Sequence, residues 1–161
     1  DYALWPMFAP LWMLFLSSLA TSAGSTGGGI KMIRAIVLYK QVYRELTRAM
    51  HPNAIHPVKI GSELVPSNIL FAVLAFGFMY MVCILSMTLA LSFSDLEIVT
   101  AFTAVVASIN NTGPGLGQVG PATNFGSLSD FQTWVCTFAM LLGRLEIFTL
   151  LVVLTPAFWR K

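Results

Sequence analysis

Apolar positions dominate long runs of this chain, and polar positions collect in a few places between them. The first apolar run extends from about residue 2 to residue 39, broken by the glycine-rich stretch "TSAGSTGGGIK" and by Lys31 and Arg34. As one continuous helix it would measure roughly 57 Å, at about 1.5 Å per residue. The hydrocarbon core of a bilayer is only ~30 Å thick, so a break inside this run is expected, and the glycines mark it. Pro6 and Pro10 stand early, where a helix start tolerates proline. Residues 67 to 92 carry no charge over 26 positions, which at 1.5 Å per residue spans about 39 Å and predicts a tilted transmembrane helix.

Two shorter patterns follow. Residues 94 to 109, "SDLEIVTAFTAVVASI", open on a helix-start signature, with Ser94 as N-cap and Glu97 three residues on. The apolar part gives a helix of only ~21 Å, too short to span. Straight after it comes "NNTGPGLGQVGPATNFGSLSD", which is too rich in Gly and Pro to be helix. A short apolar helix followed by such chain fits a re-entrant pore loop. It also fits an external loop capped by a surface helix, and pattern alone leaves both open. A last apolar segment, residues 131 to 158, carries Arg144 near its middle in "LLGRLEIF".

Charge gives the topology. Lys31, Arg34, Lys40, Arg44, Arg48 and Lys59 fall on one side of the central span, and Arg160 and Lys161 return to that side if residues 131 to 158 cross once. The stretch between the two spans holds Asp95, Glu97 and Asp130 and no Lys or Arg. The positive-inside rule places residues 40 to 66 and the C-terminus in the cytoplasm. "YKQVYRELTRAM" reads as an amphipathic helix on the membrane surface, followed by a linker punctuated by Pro52, Pro57 and Pro66.

Composition agrees. The 161 residues are 57% hydrophobic and 10% charged, with mean hydropathy +0.77, against about 25% charged in soluble domains. A net charge of +2, grouped rather than striped, is a topology signal and not a nucleic-acid footprint. Cys83 and Cys136 lie in separate apolar segments without CxxC spacing and read as small buried hydrophobes. The N-terminus lacks a Met and a basic n-region, so the first run is not read as a signal peptide, and the abrupt start "DYALWP" suggests a fragment.

Three features bear on chemistry. In the glycine stretch, Gly24 and Gly29 have P-loop spacing, but no strand precedes them and no Ser or Thr follows Lys31 to hold magnesium. An intramembrane serine hydrolase built on Ser25 would need a base. The available histidines, His51 and His56, sit in the polar linker, so an enzyme is not expected. Arg144 at mid-span costs about 2.5–3.5 kcal/mol on insertion scales. Glu146, two positions on, faces elsewhere and cannot neutralise it. Non-helical backbone at membrane depth is tolerated where it is buried or lines a water-filled cavity, and its carbonyls would supply the acceptors that Arg144 needs. "NNTGPG" is the third feature: backbone carbonyls behind a pore helix can coordinate a dehydrated cation, and Gly113 permits conformations that a Cβ hinders. An ordinary outer turn uses the same residue types.

The order of these pieces, "AGSTGGGIK", basic linker, span, short helix, "NNTGPG" and "GRLEIF", resembles the C-terminal part of the Trk-type potassium-uptake transporter pore subunit, within the Trk/Ktr/HKT superfamily. The resemblance covers essentially the whole chain. It implies an all-α integral membrane fold of helix–pore-loop–helix repeats, four around one pore. Residues 1–48 would be the broken second helix of the third repeat, 49–66 a cytoplasmic linker, and 67–161 the fourth repeat, with span 67–92, pore helix 95–109, filter 110–115 and span 131–158. It implies a filter quarter at Asn110, Asn111, Thr112, Gly113 and Gly115, binding potassium through backbone carbonyls near Gly113. It also implies a mobile gate loop at Gly24, Ser25, Thr26, Gly27, Gly28, Gly29 and Lys31, contacted by Arg144. No cofactor is implied beyond the transported potassium ion. The implied setting is a bacterial cytoplasmic membrane. The implied partners are the lipid bilayer, the remaining repeats, a second copy in a homodimer and a cytoplasmic nucleotide-binding regulatory subunit, with no nucleic acid. The first three filter segments are absent, so the chain is expected to be part of a longer pore subunit. A secondary transporter binding substrate at the broken helix is the alternative.

Overall fold

The computed structural model describes residues 5, 6, 8–19, 30–51, 57–145, 152 and 159. Gly24, Ser25, Thr26, Gly27, Gly28 and Gly29 lie outside the described residues, as do residues 146–151 and 153–158 of the expected last span.

Five α-helices, one small hairpin and two short 3-10 turns make up the described fold: α1 (Phe8–Leu19), α2 (Met32–Met50), β1 (Lys59–Ile60), β2 (Glu63–Leu64), α3 (Ser67–Phe93), α4 (Ile98–Asn110), the 3-10 turns Gly117–Val119 and Phe125–Ser127, and α5 (Asp130–Arg144). α3 is the long element. Pro66 starts it, since Pro66 O accepts from the amides of Ile69 and Leu70. Its 27 residues extend about 40 Å. Leu70, Val73, Phe76, Tyr80, Cys83, Met87 and Leu91 recur at helical spacing and form its buried stripe. Phe71, Phe78, Leu85 and Leu89 stand exposed on the other side. Among the described residues, α3 is the helix long and apolar enough to cross a membrane.

α2 contains the stretch 39–50 expected as an amphipathic helix and extends it back to the apolar residues after Lys31. It starts at Met32, directly after Lys31 in extended conformation, and runs without interruption to Met50. Its first half therefore belongs to the packed bundle. Val37 and Leu70, with Val73 and Val58, form one apolar cluster, and the Arg34 guanidinium lies 4.3 Å from the centre of the Phe76 ring. Since Arg34 meets Phe76 while Val37 lies among earlier α3 residues, the two helices run antiparallel.

The core sits between α3, α4 and α5. Ten of the 13 residues of α4 are buried. The exposed residues of α4, Ile98, Val99 and Phe102, lie at its start, and the rest of the helix is enclosed. The start of α4 corrects the capping expectation. α3 continues through Phe93, and Ser94 closes it, donating from Oγ to Leu91 O at 2.7 Å. Asp95 then turns the chain with φ +63°, and α4 begins at Ile98 rather than residue 95. Glu97 precedes it without a side-chain cap. A capping box does occur, at the head of α5. Ser129 Oγ accepts from Gln132 N, and Ser129 N donates to Gln132 Oε1 at 2.9 Å. Gln132 Nε2 also donates to Ser94 Oγ at 2.9 Å, which ties the head of α5 to the end of α3. Cys83 and Cys136 are free and buried.

Candidate functional site

The site is the turn that follows α4, because a buried apolar helix there gives way to backbone without regular structure. α4 ends by satisfying its own last carbonyls. Asn111 takes the left-handed conformation, φ +54°. Its amide donates to Ser108 O at 3.1 Å, and the Thr112 amide donates to Ala107 O at 3.0 Å. This is a Schellman closure with Asn in the position usually held by glycine. It reverses the chain within two residues.

The returning strand is held against α4 by two hydroxyls one helical turn apart. Thr103 Oγ1 donates to Val99 O at 2.8 Å and accepts from the Leu116 amide at 3.0 Å. Thr100 Oγ1 accepts from the Gln118 amide at 3.4 Å. The Gly115 amide donates to Val119 O at 2.8 Å, closing a tight loop over residues 115–119. The approach is close enough to require glycine at two positions. A Cβ on Gly117, which has φ +65°, would fall 2.3 Å from Thr100 Oγ1. A Cβ on Gly115 would fall 3.2 Å from the Thr103 carbonyl and 2.8 Å from Val119 Cγ2. Gly113 is different. Its φ is +99°, which other residues rarely adopt, yet a Cβ there would meet open space. It stands exposed at the tip.

The expected filter residues thus divide. Asn110 is the last residue of α4, so the segment expected at 110–115 starts one residue inside the helix. Its side chain is buried: Tyr80 Oη donates to Asn110 Oδ1 at 3.0 Å, and Asn110 Nδ2 donates to Ser18 Oγ at 3.1 Å. One amide therefore joins α1, α3 and α4. Asn111 Nδ2 reaches Met140 O on α5 at 3.3 Å. Thr112, Gly113 and Pro114 are exposed.

Beneath this turn, α5 passes α4 at Gly143. A Cβ on Gly143 would lie 1.7 Å from Ile109 O, so only glycine permits the crossing. Arg144 is the next residue, exposed, in the last turn of α5. The described part of α5 ends here, so the place of Arg144 within the expected span 131–158, like its pairing with the glycine loop, falls outside the described residues. Lys31, the last member of that loop, precedes α2 and is half-buried. His51, considered as a base, is exposed at the end of α2.

Sequence reasoning missed Thr100, Thr103, Tyr80, Ser18 and Gly143. The signal for the threonines was their three-residue spacing in an otherwise apolar helix. The signal for Gly143 was a small residue inside a spanning segment, the usual mark of close helix crossing.

Comparison with known proteins agrees along the whole chain. The family model for TrkH, described as a cation transport protein, matches residues 1–161. The Trk system potassium uptake protein TrkH of Vibrio parahaemolyticus is 45% identical over 160 residues, covering 99% of this chain and 33% of the relative. TrkH of Escherichia coli strain K12 is 45% identical over 159 residues, covering 99% of this chain and 32% of its own length. TrkG of the same strain is 36% identical over 161 residues, covering 100% of this chain and 33% of its own length. The crystal structure of the potassium transporter TrkH from Vibrio parahaemolyticus superposes with TM-score 0.90 at 45% identity, covering 99% of this chain and 34% of that one. The chain thus spans about one third of the length of these relatives.

Proposed function

Because this chain belongs to the TrkH family of cation transport proteins, we propose that it is part of a potassium-translocating pore subunit in the bacterial cytoplasmic membrane. In this reading residues 67–161 form one helix–pore-loop–helix unit, with α4 as pore helix. The turn Asn110–Gly115 contributes one quarter of a selectivity filter. The rest comes from other repeats of the same subunit, which pairs with a second copy and answers to a cytoplasmic nucleotide-binding regulator. Residues 40–66 and the C-terminus face the cytoplasm. The glycine loop from Gly24 to Lys31 is the gate below the filter, and Arg144 anchors it.

The observation that carries this reading is the enclosed helix α4 ending at a glycine-tipped turn whose return strand is pinned to it. A buried helix directs the partial negative charge of its C-terminus at the turn, which favours a cation there. A rigid turn with a strained-for-others glycine at its tip gives backbone carbonyls a fixed geometry without side-chain obstruction. Since Gly113 has space around it but a positive φ, Gly113→Ser should fold, at a conformational cost of about 1 kcal/mol. It should also lose potassium-over-sodium discrimination. Proteoliposome flux of the full-length protein reads this, and unchanged permeability ratios would remove the filter assignment.

A further inference from the structure

A second site lies at the other end of the fold, where α2 leaves the bundle. The hairpin β1–β2 folds back on α2, and Lys40 Nζ donates to Lys59 O at 2.6 Å. Between helix and hairpin is a cavity of about 400 Å³ lined by Tyr39, Lys40, Tyr43, Arg44, Val58 and Lys59, with Pro57 at its edge. Its size is that of a small-ligand site. Three of its lining residues are cations, from two different elements. Lys40 and Arg44 stand one helical turn apart on α2, and so do Tyr39 and Tyr43. Both tyrosines are exposed. Arg44 is paired with Glu45, whose Oε1 lies 3.2 Å away and also accepts from Gln41, and Glu63 stands on β2 opposite Ile60. Among the described lining residues three are cations and none is acidic, so the lining itself is positive.

Its level in the fold is fixed by packing. The Val65 amide donates to Val58 O, and α3 starts two residues later at Ser67. Val58 belongs to the same apolar cluster as Val37, Leu70 and Val73. Through Val58 the cavity therefore adjoins the first turns of α3. Apolar support at Val58, with two exposed tyrosines and three cations side by side around the cavity, is the residue mix of a membrane interface.

We propose that this cavity binds the phosphodiester headgroup of an anionic phospholipid in the leaflet at the basic end of α3. The cations hold the phosphate, and the tyrosines lie against the glycerol and upper acyl region. Lys40 spends one N–H on Lys59 O and keeps two for the ligand. A zwitterionic lipid brings its own ammonium to the phosphate and gains less. The proposal rests on the membrane placement of α3. It does not depend on ion translocation, and its test measures lipid retention without flux.

Native mass spectrometry of the full-length protein in detergent, with phosphatidylglycerol and phosphatidylcholine at equal concentration, tests it. Phosphatidylglycerol should be retained preferentially. The variant Lys40→Gln/Arg44→Gln/Lys59→Gln should weaken that retention by about tenfold or more, whereas Arg48→Gln, one turn further along α2, should not. If the triple variant does not fold, Lys59→Gln at its exposed hairpin position carries the same test with a smaller shift. Equal retention of the two lipids, or undiminished phosphatidylglycerol on the variants, overturns the proposal. Displacement of the lipid by glycerol 3-phosphate at equal concentration would assign the cavity to a soluble phosphoester instead. Loss of an acidic partner protein from the variants, with lipid retention intact, would make it a protein-docking face and likewise overturn the lipid assignment.

Discussion

Replacing Gly143 by alanine adds one methyl group at the crossing of α5 over the end of α4. That carbon would sit 1.7 Å from Ile109 O and 2.7 Å from the Ile109 carbonyl carbon. Both are backbone atoms, so no side chain can rotate out of the way. α5 must retreat by more than an ångström, or the last turn of α4 must move. Either shift costs about 1–3 kcal/mol as overpacking. The displacement falls on the residue preceding Asn110, and so on the Schellman closure and the turn beyond it. The expected outcome for the full-length protein is a lower melting temperature together with reduced potassium-over-sodium discrimination in proteoliposome flux. A double variant tests the direction of transmission. Gly143→Ala with Asn111→Gly relaxes the left-handed residue and should recover part of the discrimination without restoring the crossing. If Gly143→Ala melts like wild type and keeps its ion discrimination, the crossing is not close and the coupling inferred from it is wrong.

Two further outcomes rest on the hydrogen bonds around the turn and one on the proposed gate. Tyr80→Phe leaves Asn110 Oδ1 without its 3.0 Å donor, which should cost about 1 kcal/mol in a membrane setting. Thermal unfolding of the full-length protein reads it, and a wild-type midpoint would show that the bond contributes nothing. Thr103→Val keeps the shape of the side chain and removes the acceptor of the Leu116 amide. The orphaned amide should cost about 1–3 kcal/mol and raise hydrogen exchange at Leu116, where unchanged exchange would refute the pinning role. On the proposed anchoring of the glycine loop, Arg144→Ala should raise potassium flux, and wild-type flux and open probability would end the anchor assignment.

The hydrophobic pattern made α3 legible as one long helix to within a residue at either end, because an uncharged run of that length leaves nothing to interrupt it. The short helix was legible in kind but not in register. Ser94 has the chemistry of an N-cap, yet the preceding helix ran on and used it as a terminator, and local pattern cannot decide between two helices competing for one serine. α2 joins the apolar stretch after Lys31 to the amphipathic stretch 39–50 in one helix, a continuity that the change from apolar to polar composition hid, and its apolar half carries the packing against α3. Gly113 and Gly115 were singled out as filter residues, and the structure gives the two glycines different surroundings. Gly115 is confined by Thr103 and Val119, and Gly113 has only its backbone conformation to account for it. Contacts such as Asn110 with Ser18, 92 positions apart, have no local signature and emerge only when the helices assemble.

The connection from α4 to α5 is unevenly restrained, and that has a practical side. From Asn111 to Val119 nearly every turn of the chain is fastened to α4 or to Val119 itself. Past Gly120 the fastenings become local: Thr123 bonds back to Gly120, and Asn124 caps its own short turn at Gly126. Ala122, Thr123 and Asn124 are exposed. An epitope or a fluorophore-bearing peptide spliced in at 122–124 would lengthen a segment that holds only itself. The same splice a few residues earlier would unfasten the turn, so the two positions offer a reporter and a disruptor on one loop.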